Sequence, residues 1–85
     1  MARYKIEIKK SAVKELESIP SNDLKRILSK IELLAENPRP IGSLKLSGDD
    51  RYRIRQGNYR ILYTIEDEIL TIYIVKVGHR KDVYN

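Results

Sequence analysis

Apolar and charged residues alternate strictly along two stretches of the chain, and each stretch predicts a strand. Tyr4, Ile6 and Ile8 alternate with Arg3, Lys5, Glu7 and Lys9, which marks residues 3–8 as a strand with one buried face. Tyr52 and Ile54 alternate with Arg51, Arg53 and Arg55, and Gly57-Asn58 then breaks the run with residues suited to a two-residue hairpin turn. Pairing about that turn sets Tyr52 opposite Tyr63, Ile54 opposite Ile61, Arg53 opposite Leu62 and Arg55 opposite Arg60. The aromatic and aliphatic pairs favour this register, whereas like charges directly opposite repel. Two readings of the arginines compete: a solvated basic face, or a face kept for an anion.

Between these stretches the period lengthens to that of a helix. Ser11 is a candidate N-cap for a short helix that turns Val13, Leu16 and Ile19 inward. Pro20 either ends that helix or occupies the first position of the next, with Ser21 as the competing cap. Leu24, Ile27, Leu28, Ile31, Leu34 and Ala35 then follow helical spacing until Asn37-Pro38-Arg39-Pro40 stops it. The two helices form a hairpin with one apolar side.

Leu44 and Leu46 predict a short strand, and a strand over 59–65 follows the arginine turn. Glu66-Asp67-Glu68 supplies another turn before residues 69–77, which are apolar at nearly every position. A turn at Asp67-Glu68 pairs Ile65 with Leu70, Tyr63 with Ile72 and Ile61 with Ile74, and the helices are expected to pack on this side. The other face then carries Arg51, Arg53, Arg55, Arg60, Leu62, Tyr73, Val75 and Val77. Gly78 is expected to end the last strand, with Arg80 and Tyr84 folding back over the arginine face. The order β-α-α-β-β-β is an α+β fold: a two-helix hairpin packed on one face of a small, antiparallel-rich twisted sheet.

Composition narrows what such a fold does. Eighty-five residues are expected to make one domain, 1–85. Seventeen Lys and Arg against twelve Asp and Glu give a net charge of +5, which favours a polyanionic or acidic partner. There is no cysteine, hence no disulfide, thiolate metal site or cysteine nucleophile, and the single His argues against a histidine metal site. No metal or cofactor is expected. No apolar run approaches the ~20 residues of a membrane span, and the N-terminus lacks an apolar signal region. The chain reads as soluble and cytoplasmic, without a membrane partner. Tyr52, Tyr59 and Tyr63 read as core or cross-strand packing, and Lys9, Lys10 and Lys14 as a solvated face.

Several arginines on one face suit phosphate, since guanidinium offers planar, permanently charged bidentate donors. Tyr73 or Tyr84 could stack on an unpaired base, the usual way to hold single-stranded RNA. The joint pattern of Lys45-Leu46-Ser47-Gly48, Tyr52-Arg53-Ile54-Arg55, Tyr59-Arg60-Ile61-Leu62-Tyr63 and Val77-Gly78-His79-Arg80 with Val83-Tyr84 resembles the RelE/ParE superfamily of type II toxins, its RelE branch more closely than ParE.

The resemblance implies a ribosome-dependent endoribonuclease, an mRNA interferase that cuts mRNA in the ribosomal A site. It implies a RelB-like antitoxin as partner, with operator DNA bound only through the antitoxin complex. Arg53, Arg55, Arg60, Arg80 and Tyr84 match the family's catalytic positions, promoting attack of a ribose 2′-OH on the adjacent phosphate. Lys45, Arg51, Tyr73, His79 and Lys81 would contact RNA around them. The RelE pattern has lysine where this chain has Arg53 and Arg55. Arginine effectively never loses its proton, so both read as charge stabilisers, and Tyr84 or His79 becomes the candidate base. The tail, ending at Asn85, is expected to lack the C-terminal helix of some relatives. The alternatives are a ParE-like toxin that poisons gyrase without nuclease activity and an inactive relative that binds only an antitoxin and DNA.

Overall fold

The computed structural model describes residues 3–48 and 50–79. The elements run β1 (Lys5–Ile8), α1 (Lys10–Glu17), α2 (Ser21–Glu36), β2 (Leu44–Lys45), β3 (Tyr52–Gln56), β4 (Tyr59–Glu66) and β5 (Thr71–His79). They build one five-stranded sheet in the order β1-β5-β4-β3-β2. β1 pairs with β5 in parallel and every other pair is antiparallel, so the sheet is mixed. That arrangement follows from the connections: the helical hairpin carries the chain across one face from β1 at one edge to β2 at the other, and β3, β4 and β5 then return by short antiparallel connections until β5 lies beside β1.

α1 begins two residues earlier than the Ser11 cap predicts. The Lys9 N–H is bonded to the Ile74 carbonyl at 3.0 Å, which holds Lys9 extended as the last rung beside β5. Its own carbonyl accepts the Val13 N–H at 2.9 Å, so the helix starts directly behind the strand and no side chain caps it. The inward stripe is consequently Ala12, Leu16 and Ile19, and Val13 is 41% exposed. Pro20 occupies the cap position of α2, with an extended ψ of 144° and its carbonyl taking the Leu24 N–H at 2.9 Å. Ser21 is therefore the first residue of the helix rather than its cap. Ile27, Ile31, Leu34 and Ala35 are buried, Leu24 packs against them in part, and Leu28 stays 40% exposed on the outer side. Leu46 falls just outside β2, its N–H bonded to the Arg51 carbonyl at 2.9 Å.

The β3–β4 register is the predicted one, Tyr52 with Tyr63 through Arg55 with Arg60. Gly57 takes φ +60° at the first position of the two-residue turn, the demand of a type II′ hairpin. The β4–β5 register differs from expectation. Asp67–Ile69 form a 3-10 turn, and Leu70 follows at a φ of 46°, so the connection is longer than a tight hairpin. Ile65 accordingly pairs with Ile72 rather than Leu70, and Tyr63 with Ile74 rather than Ile72. Leu62 then pairs with Lys76, which leaves Val75 as the extra residue of a β-bulge.

The bulge reverses the facing of everything after it. Val77 pairs with Ile61 and joins the helix-side core instead of the arginine face. Nor does Gly78 end the strand, which continues to His79 with Gly78 opposite Arg60. The core between helices and sheet is built from Ala12, Leu16, Ile27, Ile31 and Leu34 against Ile54, Ile61, Tyr63, Ile72, Ile74 and Val77.

A polar cluster ties the α2–β2 connection to the far end of the sheet. Arg39 pairs with Asp67 (Nη2 to Oδ2, 2.9 Å), donates Nε–H to the Tyr52 hydroxyl at 3.2 Å and lies 5.4 Å from the Tyr52 ring centre. The Tyr4 hydroxyl donates to Asp67 Oδ1. Hydrogen bonds from Arg39, then from Tyr4, hold the Asp67 carboxyl below the ordinary carboxylate pKa. A lowered folded-state pKa contributes stability at pH above the unfolded value, and that contribution disappears as pH falls through the folded one. Thermal midpoints measured from pH 7 to pH 3 should therefore fall less steeply below about pH 4 in Asp67→Asn than in the parent protein.

Candidate nucleic-acid interface

The sheet face away from the helices is organised in cross-strand rows. Leu44, Arg53, Leu62 and Lys76 form one row, and Arg55, Arg60 and Gly78 form the next. Leu62 lies outside the helix-side core yet is only 2% exposed, lodged between Arg53 and Lys76 on its two neighbouring strands. An apolar floor flanked by long cationic side chains lowers the local dielectric, which strengthens attraction to an anion above it. The Nε–H of Arg53 is buried with no hydrogen-bond partner among the described residues. A buried orphan donor costs free energy, and here it belongs to a group whose chemistry is anion binding. Arg55 and Arg60 stand opposite each other at the hairpin, and with Gly57 and Tyr59 they line a cavity of about 110 Å³.

The remaining candidates distribute unevenly. Tyr73 is half-buried and opposite Thr64, on the arginine side but further along the sheet. Lys45 pairs with Tyr52, in a row of helix-side parity at the sheet edge. There it is exposed and lines, with Leu46, Ser47, Gly48 and Asp50, an open groove of about 630 Å³. Arg51 is half-buried just before β3. His79 pairs with Tyr59, and the two rings meet edge-on with centres 5.8 Å apart. That row alternates with the one holding Arg60, so the bulge sends His79 to the helix side, where it lines a groove of about 240 Å³ with Glu15, Ser18 and Ile19. Arg80, Lys81 and Tyr84 lie outside the described residues. The structure thus brings Arg53, Arg55 and Arg60 together and separates His79 from them.

Sequence reasoning passed over Glu15. Its Oε1 accepts the Val77 N–H at 3.0 Å and its Oε2 lies 3.4 Å from Lys76 Nζ. Glu15 is one of two carboxylates in a helix that also carries two lysines, and nothing local announces a partner more than sixty residues away. Among the described residues no cluster of three or more His, Cys, Asp or Glu side chains could hold a metal ion, and no helix is long and apolar enough to cross a membrane.

The model of the ParE toxins of type II toxin-antitoxin systems (parDE) matches residues 6–84. Toxin RelE3 of Methanocaldococcus jannaschii is 36% identical over 87 residues, spanning 95% of this chain and 96% of that protein. The mRNA interferase toxin RelE of Escherichia coli K12 is 31% identical over 87 residues, spanning 96% and 90%. The crystal structure of the toxin-antitoxin complex RelBE2 from Mycobacterium tuberculosis contains a chain of 30% identity that superposes with a TM-score of 0.82, covering 96% of this chain and 97% of that one. With sequence similarity running almost end to end and the same fold beneath it, the chain belongs to the RelE/ParE superfamily of type II toxin-antitoxin toxins, on its RelE branch.

Proposed function

We propose that this toxin is a ribosome-dependent endoribonuclease that cuts mRNA in the ribosomal A site. The observation that carries the reading is the convergence of Arg53, Arg55 and Arg60 on one open sheet face, over an apolar floor. A relative named as an mRNA interferase supports it. The ribose 2′-oxygen attacks the adjacent phosphorus, the P–O5′ bond breaks, and the products are a 2′,3′-cyclic phosphate and a 5′-hydroxyl. Guanidinium groups stabilise the extra negative charge of the pentavalent state, with no step of their own to reorganise. They supply no base, because arginine keeps its proton. The separation of His79 from the arginines favours Tyr84 for the 2′-OH proton and Arg80 as a further cation. A shallow charged face does little to orient a flexible RNA, so alignment of the 2′-OH with the scissile bond falls to the programmed ribosome. A RelB-like antitoxin neutralises the toxin, as solved complexes of relatives with RelB support, and operator DNA is contacted only through that complex. Action on translating ribosomes makes the toxin cytoplasmic.

Toeprinting on translating ribosomes tests this. The parent protein should produce cuts within the A-site codon and leave free RNA intact, and Arg80→Ala should reduce cutting by about a hundredfold with the fold unchanged. Efficient cutting of naked RNA, or full activity in Arg80→Ala, would refute the mechanism. The matching family model bears the ParE name, which favours a second reading, gyrase poisoning without nuclease chemistry. Inhibition of supercoiling by purified toxin, with ribosome-bound mRNA left whole, would select it.

A further inference from the structure

β1 ends at Ile8, paired with Ile74, and the last bond along that side of β5 is the one from the Lys9 N–H to the Ile74 carbonyl. β5 continues to His79 with β4 on its inner side, but no strand lies on its outer side there among the described residues. A half-buried edge N–H without an acceptor is costly. The Glu15 carboxylate, reaching across from α1, supplies the acceptor for Val77 and carries Lys76 on its second oxygen. It does so immediately after the bulge at Val75, where local twist is least constrained by the ladder. Directly beyond are Gly78, opposite Arg60, and His79, opposite Tyr59, and Arg80 follows in the chain.

We infer that Glu15 is a positioning residue of the toxin: its bond to the Val77 N–H replaces a missing neighbouring strand and fixes the end of β5 that seats Arg60 and leads to Arg80. This rests on the nuclease reading. A carboxylate on the helix side has the wrong charge and the wrong location to stabilise a phosphorane, so its influence passes through the backbone. Glutamine keeps a carbonyl oxygen for the Val77 N–H and gives up only the charge. Alanine gives up both, and methionine keeps the length of the side chain without a comparable acceptor.

Single-turnover cleavage on mRNA-programmed ribosomes, with toxin at saturation, distinguishes these variants, together with amide hydrogen exchange at Val77 on the free proteins. Glu15→Ala should slow the saturated rate by about tenfold to a hundredfold, the scale of a misplacement of order 1 Å. The toxin concentration for half-maximal rate should stay within about twofold, because no cationic side chain is removed and the attraction of the basic face for RNA is unchanged. Val77 exchange should accelerate in Glu15→Ala, and Glu15→Gln should restore both rate and protection. Glu15→Met must behave like alanine, which keeps the test decisive if alanine does not fold. The inference is overturned by a parental rate in Glu15→Ala or Glu15→Met, by a glutamine variant as slow as alanine, or by a loss confined to the half-maximal concentration. If the parent protein cuts no ribosome-bound mRNA, the nuclease reading fails by itself. Unchanged Val77 exchange in Glu15→Ala then overturns the backbone clamp as well, and accelerated exchange sustains it.

Discussion

Arg53→Ala is expected to lower single-turnover cleavage of ribosome-bound mRNA by roughly a hundred- to a thousandfold, the usual effect of deleting one preorganised donor to a developing oxyanion. The Arg53 Nε–H is already desolvated and has no hydrogen-bond partner among the described residues. The cost of removing that donor from water is met in the free protein, and a bound phosphate oxygen would recover it. Folding should change little. Losing the stem uncovers part of Leu62, while losing the orphan donor offsets it, and the thermal midpoint should move by no more than about 4–8 °C, equivalent to about 1 kcal/mol. Arg53→Lys keeps the charge and loses the bidentate fork, so its rate should fall by about tenfold. Its pH–rate profile should match that of the parent protein if the proton is moved elsewhere. A profile displaced toward a titrating amine would show that this position accepts the proton whenever its side chain can, and would withdraw the reading of Arg53 as a pure charge stabiliser.

Local chemistry explains which parts of this architecture were legible in the sequence. The Arg51–Arg60 hairpin was, because a period of two, a glycine-led two-residue turn and matched aromatic and aliphatic pairs all specify one register, and the structure has that register. α2 was legible from its spacing, apart from Leu28, whose position at the flank of the stripe a periodicity cannot resolve. The β4–β5 register was not. Its loop depends on Leu70 adopting a positive φ that leucine rarely takes, and the one mark of the bulge at Val75 is Lys76, which unbroken alternation with Ile72 and Ile74 would turn into the core. The bulge decides the candidate site: it turns Val77 into the core and His79 away from the arginines, whereas the longer loop moves the register by two residues and keeps each side chain on its face. The start of α1 was hidden for a different reason, since a tertiary bond from Lys9 to β5 fixes it rather than a capping side chain.

Tyr63→Ala is expected to leave the domain largely unfolded at 37 °C. Tyr63 is fully buried, stacks on Tyr52 with ring centres 5.8 Å apart, and donates its hydroxyl to the Pro38 carbonyl at 2.7 Å. It therefore joins β4, β3 and the exit of α2 in one side chain. Truncation of a buried aromatic costs about 3–5 kcal/mol, against a total of about 5–15 kcal/mol that is expected to be small for a chain of this size. Tyr63→Phe isolates the hydroxyl: it leaves the Pro38 carbonyl without its donor and should cost about 1–3 kcal/mol. The two variants also separate in alkali. Burial pushes the Tyr63 phenol up to about 12, above its ordinary 10.0, so the neutral form is favoured in the folded state. Its contribution is complete below pH 10 and is lost as pH rises toward 12, a loss that Tyr63→Phe should show to a smaller extent in denaturation followed by circular dichroism. Because Tyr63 points to the helices while Leu62 and Arg53 face the open side, Tyr63→Phe should still cleave at the parental rate below its lowered midpoint. A rate defect persisting in fully folded Tyr63→Phe would mean that the Pro38 tether reaches the arginine face, and that the two sides of the sheet are not as independent as their packing indicates.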